Sequence, residues 1–221
     1  MMTNDIELLE SQGSIYCLFL SPLGRFLYDA FIVKHEDKYL LDVNKQNASK
    51  FLQRLNFYKL HSKVFFALNE ELTVIYSDKK LSKSTCHKDP RHSKLLYRSM
   101  GYNKDIQGEL TQDLYLKDKY NYVIPDGFTD FIHDKSLPPE FGAENLNAIS
   151  YTKGCYTGQE VISRAKYQGV VRKALYRLEF KNAIDEDLSG EEIFHGEVKI
   201  GIITSNWRNF AIALLKSEYV L

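Results

Sequence analysis

Cysteine is scarce in this chain of 221 residues, which has three, at Cys17, Cys86 and Cys155. An odd number of widely separated cysteines does not make a disulfide framework and is typical of reduced thiols in a cytosolic compartment. The sequence therefore predicts a cytoplasmic protein with free thiols. A zinc site at Cys86, His87 and His92 is disfavoured, because a fourth ligand at the usual spacing is missing.

Long apolar runs and excess charge of one sign are also missing. No segment approaches the roughly 18 apolar residues of a membrane span, and the first residues have neither the basic start nor the apolar run of a signal peptide. The 29 basic and 29 acidic residues cancel to a net charge of zero. There is thus no overall electrostatic attraction to nucleic acid or anionic membrane. We expect no membrane partner and no direct nucleic-acid binding.

The composition is that of a globular chain with one large or two small domains. Hydrophobic residues make up 44%, and the chain has 15 tyrosines and 13 phenylalanines, which suit a packed core and the wall of a pocket for a flat ligand.

Alternating apolar residues predict strands, and a helix is expected where apolar residues recur every three to four positions. Three helices are predicted. The first begins after a cap at Asn44 or Asn47, and the other two cover 111–119 and 159–167. The predicted strands cover 14–20, 25–33, 38–43, 63–68, 72–77, 97–103, 171–181, 197–205 and 210–215. Such an order predicts an α+β fold. The segment 171–221 resembles a small all-β module, too short to be stable alone, that packs on the first region.

The most informative segment is the octapeptide 153–160, which we call the signature loop. Its sequence is Lys153-Gly154-Cys155-Tyr156-Thr157-Gly158-Gln159-Glu160. A neighbouring ammonium and a helix N-terminus both favour a thiolate, so Lys153 and the helix beginning at Gln159 could activate Cys155. The glycines Gly154 and Gly158 would let a ligand approach the backbone closely. The alternative is that Cys155 is a small buried hydrophobe.

Two further pairs of charged residues, each four positions apart, allow both a ligand-binding and a structural interpretation. Glu160 could accept a hydrogen bond from a ligand, or it could form a surface ion pair with Arg164 four residues later. Asp126 and Asp130 flank Gly127, where they could reach a polar heterocycle or serve as an ordinary turn and helix cap. The six histidines are scattered, and none stands in a context that would join it to Cys155 in a cysteine hydrolase.

The signature loop resembles that of the YgfZ family of folate-binding proteins, relatives of the T protein (aminomethyltransferase) of the glycine cleavage system. The resemblance extends over nearly the whole chain through shorter matches. These are Pro22-Leu23-Gly24-Arg25, Asp89-Pro90-Arg91, Ile124-Pro125-Asp126-Gly127, Leu137-Pro138-Pro139-Glu140, Asn145-Leu146 and Gly201 with Thr204-Ser205.

The resemblance implies a T-protein-like multi-module α+β fold around a central folate channel, with a small C-terminal β-barrel. Residues 1–169 would form the folate-binding region as two intertwined modules, and residues 170–221 the barrel. The cofactor would be tetrahydrofolate or a one-carbon derivative, and the partners iron–sulfur client or assembly proteins.

The same resemblance assigns the site. Cys155 would be the key functional residue. The ligand would be contacted by Lys153, Gly154, Tyr156, Gly158, Gln159, Glu160, Asp126 and Arg164.

The function implied is a tetrahydrofolate-binding factor that supports iron–sulfur cluster assembly or repair in client enzymes, including radical enzymes that modify tRNA. The alternative is a folate-dependent aminomethyl or one-carbon transferase like the T protein, although the signature is that of the YgfZ branch. An RNA-binding module is a third hypothesis, against which stand the zero net charge and the lack of a recognised RNA-binding motif.

The chain departs from the family pattern at its start. Thr3-Asn4-Asp5 resembles a family element that normally follows an opening strand and helix, whereas two methionines precede it here. Without that strand we expect an unpaired sheet edge and an incomplete channel wall.

Overall fold

The computed structural model describes residues 1–81, 84–102, 112–169 and 171–220. Within these ranges the strands form three antiparallel sheets, in the orders β1-β2-β3, β4-β6-β5 and β7-β10-β9-β8. No helix in the described part of the chain has the length and apolar content needed to cross a membrane.

The first sheet contains β1 (Ser14–Leu20), β2 (Phe26–His35) and β3 (Lys38–Asp42), joined in sequence order. All seven residues of β1 are buried, because both faces of the sheet are covered. One face packs on α2, where Phe19 meets Phe51, and the other enters the main core. The predicted strands 14–20, 25–33 and 38–43 are confirmed.

The first two helices lie on either side of this sheet in sequence, α1 (Leu9–Gln12) before it and α2 (Lys45–Tyr58) after it. The side chain of Asn44 accepts a hydrogen bond from the Gln46 amide at 2.9 Å, so Asn44, of the two predicted caps, begins α2.

The second sheet contains β4 (Leu72–Ser77), β5 (Thr85–Lys88) and β6 (Tyr97–Tyr102). The predicted strand over 63–68 is wrong, because that segment is irregular. β4 pairs instead with β6 over its whole length, and this nonlocal pairing replaces the expected hairpin. Position 103 of the predicted strand 97–103 lies outside the described residues. Strand β5 was not predicted, because the polar sequence Thr-Cys-His-Lys has no apolar alternation.

The third sheet contains β7 (Lys173–Glu179), β8 (Glu192–His195), β9 (Val198–Trp207) and β10 (Phe210–Lys216). β7 and β8 form its two edges and do not pair with each other in the described part of the chain. The expected closed β-barrel is therefore not confirmed, and the sheet is open. β8, with four residues, is short for a strand that would have to complete a barrel wall.

The main core joins the first and third sheets. The rings of Phe26, Phe131 and Phe141 stack in a row, each 4.4 Å from the next, and Leu214 of β10 packs into the same cluster. Helix α4 (Gln159–Tyr167) contributes Ile162 to the cluster and confirms the prediction for 159–167. Helix α3 (Asp113–Tyr122) matches the prediction for 111–119, whose first residue lies outside the described ranges.

The outer edge of β1 is partly covered by the residues that precede it. Thr3 donates its amide to the carbonyl of Leu18 at 3.0 Å and accepts the Leu18 amide on its hydroxyl at 2.9 Å. That hydroxyl also donates to the carbonyl of Ala148 at 2.6 Å. We expected this edge of the sheet to be unpaired. Instead, Thr3 connects it to Ala148, in the segment that leads into the signature loop.

Candidate functional site

A cavity of about 1060 Å³ lies between the three sheets. Its walls come from β2, β3, β4, β6, β9, α3 and the loop after α3. Aromatic side chains and carboxylates share the lining, among them Asp29, Phe31, Asp42, Tyr76, Tyr115, Tyr120, Asp126 and Phe128. Small-molecule pockets measure roughly 300–1,000 Å³ and combine aromatic walls with a few polar groups. The cavity therefore suits a flat heterocycle whose donors meet carboxylate acceptors.

Asp126 lies at the centre of the polar part of the cavity. The Tyr115 hydroxyl donates to its carboxylate, the Lys119 ammonium is 3.2 Å away, and the Arg91 guanidinium is 3.4 Å away. Burial opposes ionisation, but Lys119 and Arg91 hold the pKa of this carboxyl below its ordinary value. Asp126 thus faces the cavity as an ionised acceptor.

The buried side chain of Arg91 stabilises the arrangement around Asp126. Its side chain is 1% exposed and donates to both carboxylate oxygens of Asp89, from Nε at 3.0 Å and from the terminal nitrogen at 2.8 Å. It also donates to the Tyr115 hydroxyl at 3.2 Å. The Asp-Pro-Arg segment therefore holds a buried cation that orients Tyr115 and, through it, Asp126.

Asp130 connects the cavity to the third sheet. Its carboxylate accepts from the Lys119 ammonium at 2.7 Å, from Thr204 at 2.7 Å and from Ser205 at 2.6 Å. The backbone amide of Asp126 donates to it at 2.8 Å. The two carboxylates that were singled out by their spacing therefore differ in role, because Asp126 lines the cavity and the buried Asp130 fixes its wall.

Asp29 of β2 is a second cavity carboxylate, and the sequence analysis missed it. It accepts from the Tyr16 hydroxyl at 2.9 Å and packs against the Cα of Gly127, where any Cβ would overlap the carboxylate. Burial raises the pKa of Asp29 to about 6. A charged residue inside the apolar run of β2 was the available signal, since strands covered on both faces rarely carry one.

The signature loop does not line the cavity. Cys155 is exposed. The Lys153 ammonium donates to the carbonyls of Met2 at 3.0 Å and Asn4 at 2.8 Å. The ring of Tyr156 is buried in the main core, and the side-chain oxygen of Gln159 accepts the Tyr156 amide at 3.3 Å. Burial raises the pKa of Tyr156 to about 12, and its hydroxyl has no partner among the described residues.

The two glycines of the loop have different surroundings. Gly158 has a φ of 82° and caps α4, and a Cβ there would lie 2.7 Å from the carbonyl oxygen of Ser21. Glycine is therefore needed for the loop to pack on the turn after β1. Gly154 has open space around it, as a loop facing solvent or a partner would.

Glu160 and Arg164 form the surface ion pair that was one of the two interpretations of their spacing. Arg164 donates to Glu160 at 2.9 Å, with side chains 68% and 84% exposed, respectively. The structure thus brings the loop residues together around Cys155 and places Asp126 in a separate, internal group.

The fold is that of the T-protein class. It is similar to the crystal structure of the glycine cleavage system aminomethyltransferase T from Bartonella henselae, with a TM-score of 0.67. The likeness covers 95% of this chain and 70% of that one at 10% sequence identity, so it speaks for the fold alone.

No family model matches the chain, but sequence comparison finds similar proteins. The chain is 28% identical to the mitochondrial iron-sulfur cluster assembly factor IBA57 homolog of Pyricularia oryzae, over 94% of this chain and 64% of that protein. It is 25% identical to the Homo sapiens factor, over 93% and 65%. A stretch of 89 residues, 40% of this chain and 26% of its relative, is 38% identical to the tRNA-modifying protein YgfZ of Vibrio vulnificus.

The chain is therefore similar to IBA57 proteins over most of its length and to a YgfZ protein over a shorter stretch, which confirms the resemblance that its signature loop indicated. It spans about two thirds of the length of the Pyricularia oryzae and human relatives.

Proposed function

We propose that this chain is a tetrahydrofolate-binding factor that supports iron–sulfur cluster assembly or repair in client enzymes, including enzymes that modify tRNA. The names of its relatives, iron-sulfur cluster assembly factor and tRNA-modifying protein, support this role. The observation that carries the folate part is the cavity between the three sheets, with aromatic walls and an ionised Asp126.

The ligand in this proposal is tetrahydrofolate or a one-carbon derivative. Its pterin ring would stack among the aromatic side chains, of which Tyr76 and Tyr115 are already in edge contact at 5.3 Å. Its N–H donors would meet Asp126 and Asp29. Residues 1–169 would supply most of this site, and residues 170–221 would complete its wall through Thr204 and Ser205, which line the cavity.

Cys155 would act outside the cavity, where an exposed thiol can reach a client protein or an iron–sulfur cluster, which is the cargo in this role. Lys153, Tyr156, Gly158 and Gln159 would hold the loop in shape, and Gly154 would leave space beside the thiol. We propose that Glu160 and Arg164 rearrange toward a bound partner or folate from their surface ion pair. The free state of Cys17, Cys86 and Cys155 supports a reducing compartment such as the cytoplasm.

Calorimetric titration of tetrahydrofolate under reducing conditions tests the ligand. Asp126→Asn should weaken binding roughly tenfold or more, because a hydrogen bond to a charged group contributes about 1.5–3 kcal/mol. Glu192→Gln, in the exposed ion pair with Lys199, is the matched control and should bind like the unmodified chain. Folded protein that takes up no tetrahydrofolate would refute the folate assignment.

The role of Cys155 requires a separate measurement. Cys155→Ala should leave the tetrahydrofolate affinity unchanged and abolish recovery of an iron–sulfur client enzyme in cells that depend on this protein.

The fold likeness to an aminomethyltransferase favours the transferase as the second candidate. Folate-dependent release of ammonia from an aminomethyl donor would support that alternative, and its absence together with client recovery would support the assembly role.

A further inference from the structure

The last residues of α2 and the segment after it expose several large apolar side chains. Phe57, Leu60 and Phe65 are 74%, 79% and 86% exposed. Val64 and Leu68 are also exposed. We call these residues and their neighbours the 57–68 segment. Single exposed apolar residues are common, but a contiguous group marks an interaction surface.

The exposure follows from how α2 ends. The apolar face of the helix packs against the first sheet through Phe51 and Leu55, and the helix ends at Tyr58. Short turns then hold the chain, with Ser62 donating to the Lys59 carbonyl at 2.8 Å. Leu60 has a φ of 47°, a left-handed conformation that is unfavourable for a residue with a bulky side chain. The apolar side chains thus project into solvent from an ordered backbone.

The segment and the helix before it carry charge of one sign only, and the acidic residues Glu70 and Glu71 come just after the segment. Between Asp42 and Glu70 the sequence has no acidic residue, and it has five lysines and arginines, although the whole chain is neutral. Arg54 is engaged internally, with its guanidinium 4.9 Å from the Tyr58 ring. The exposed residues Lys50 and Lys63 form no ion pair with any described residue.

We propose that the 57–68 segment and these lysines dock the protein on an anionic lipid surface. Exposed phenylalanine and leucine side chains inserted to the headgroup boundary, with lysines beside them, are the usual elements of interfacial membrane binding. Each lysine near an anionic bilayer contributes about 1 kcal/mol without needing a shaped partner. The neutral overall charge hides this local asymmetry.

Other occupants fit the observations less well. A second copy of the chain would bring the same positive segment against itself, and like charges facing each other oppose association. Single-stranded nucleic acid stacks on aromatic rings, whereas Leu60, Val64 and Leu68 offer aliphatic surface among the rings. Lysine is depleted in the centres of protein interfaces, but it suits a diffuse anionic surface.

The position of the segment is compatible with the cavity. Asn44, the cap of α2, lines the cavity, and the 57–68 segment begins at the other end of this 14-residue helix. At 1.5 Å per residue the two are separated by about 21 Å. A protein bound to lipid through the segment would keep its cavity away from the bilayer surface.

Co-sedimentation with vesicles tests the proposal, using phosphatidylcholine alone and phosphatidylcholine mixed with phosphatidylglycerol. The full chain should sediment with the anionic vesicles and remain in solution with the neutral ones. The double variant Phe57→Ser, Phe65→Ser should lower the partition coefficient at least about tenfold. Lys50→Gln and Lys63→Gln should each lower it roughly fivefold. Phe194→Ser, an exposed aromatic of β8, is the matched control and should change nothing.

Four outcomes would overturn the proposal. One is that the chain does not sediment with anionic vesicles, and another is that the double serine variant sediments as well as the parent. The third is that the parent is a dimer in light scattering and the double variant a monomer, which would assign the surface to a second copy. Retention of tRNA by the parent and not by the variant, without vesicle binding, would assign it to nucleic acid. The folate titration contains no lipid, so it fails or succeeds independently.

Discussion

The ammonium of Lys153 donates a hydrogen bond to the backbone carbonyl of Asn4 at 2.8 Å, across 149 residues of chain. Asn4 in turn donates its side-chain amide to the carbonyl of Tyr16 at 2.8 Å, inside the first sheet. The lysine of the signature loop is therefore a structural link between the cysteine and the sheet that forms one cavity wall.

Removing that link should destabilise the protein. Lys153→Met keeps the aliphatic length and leaves the carbonyls of Met2 and Asn4 without their donor, so we expect the free energy of unfolding in urea to fall by about 1–3 kcal/mol. Lys166→Met is the control, because Lys166 pairs with the half-exposed Glu144 at the surface and should change stability by less than about 1 kcal/mol. Equal midpoints for the two variants would contradict the structural role.

The first sheet could be predicted from the sequence because its strands are consecutive, rich in apolar residues and separated by short turns. Its turn residues and the Asn44 cap are also local signals. Strands β4 and β6 of the second sheet could also be predicted, but their pairing could not, because a long segment separates them in the sequence. Apolar residues in 63–68 indicated a strand, but no strand in the described part of the chain pairs with them.

The site divides in the same way. Asp126 and the signature loop could be found because they stand in short motifs. The groups around Asp126 could not, because Arg91, Tyr115 and Asp29 come from separate elements and meet only in the folded chain. Whether the loop residues contact folate stays a prediction, since they lie apart from the described cavity.

Substitution by alanine should have different effects at Gly127 and at Gly154. A methyl group at Gly127 would overlap the Asp29 carboxylate, whereas no atom of the described residues lies within 4 Å of the corresponding position at Gly154. We expect Gly127→Ala to displace Asp29 and weaken tetrahydrofolate binding at least about tenfold, and Gly154→Ala to leave the affinity and the melting temperature unchanged. Tetrahydrofolate titration with both variants checks this, and unaltered binding by Gly127→Ala would show that Asp29 tolerates displacement.

Asp130 should be among the most sensitive residues for stability. Its ammonium partner Lys119 is 2% exposed, and Asp130→Ala would leave that charge with Asp126 alone. Breaking a buried pair in this way costs about 3–5 kcal/mol, and the remaining contact to Asp126 favours the lower figure. Urea unfolding should report this loss. Asp113→Ala removes the exposed partner of Arg208 and should cost less than about 1 kcal/mol, and a similar loss in both variants would count against the buried network.

The pKa of Asp29 predicts how stability depends on pH. Burial, with a smaller contribution from the neighbouring Asp126, raises it from 3.8 to about 6. The folded chain therefore binds this proton more tightly than the unfolded chain. Linkage then requires that the contribution of Asp29 to stability be fully present below about pH 4 and decline as pH rises toward 6. Above that pH it becomes constant, and the decline amounts to at most about 3 kcal/mol.

Asp29→Asn removes the titrating group while its amide oxygen can still accept from Tyr16. The stability of the variant relative to the parent should therefore increase between pH 4 and pH 7, when urea unfolding is measured at closely spaced pH values. Asp113→Asn, at an exposed position, should follow the parent at every pH. A constant difference between Asp29→Asn and the parent across this range would show that Asp29 titrates at its ordinary pKa. Tetrahydrofolate affinity should rise over the same interval if the ionised carboxylate accepts hydrogen bonds from the pterin, because deprotonation of Asp29 creates that acceptor.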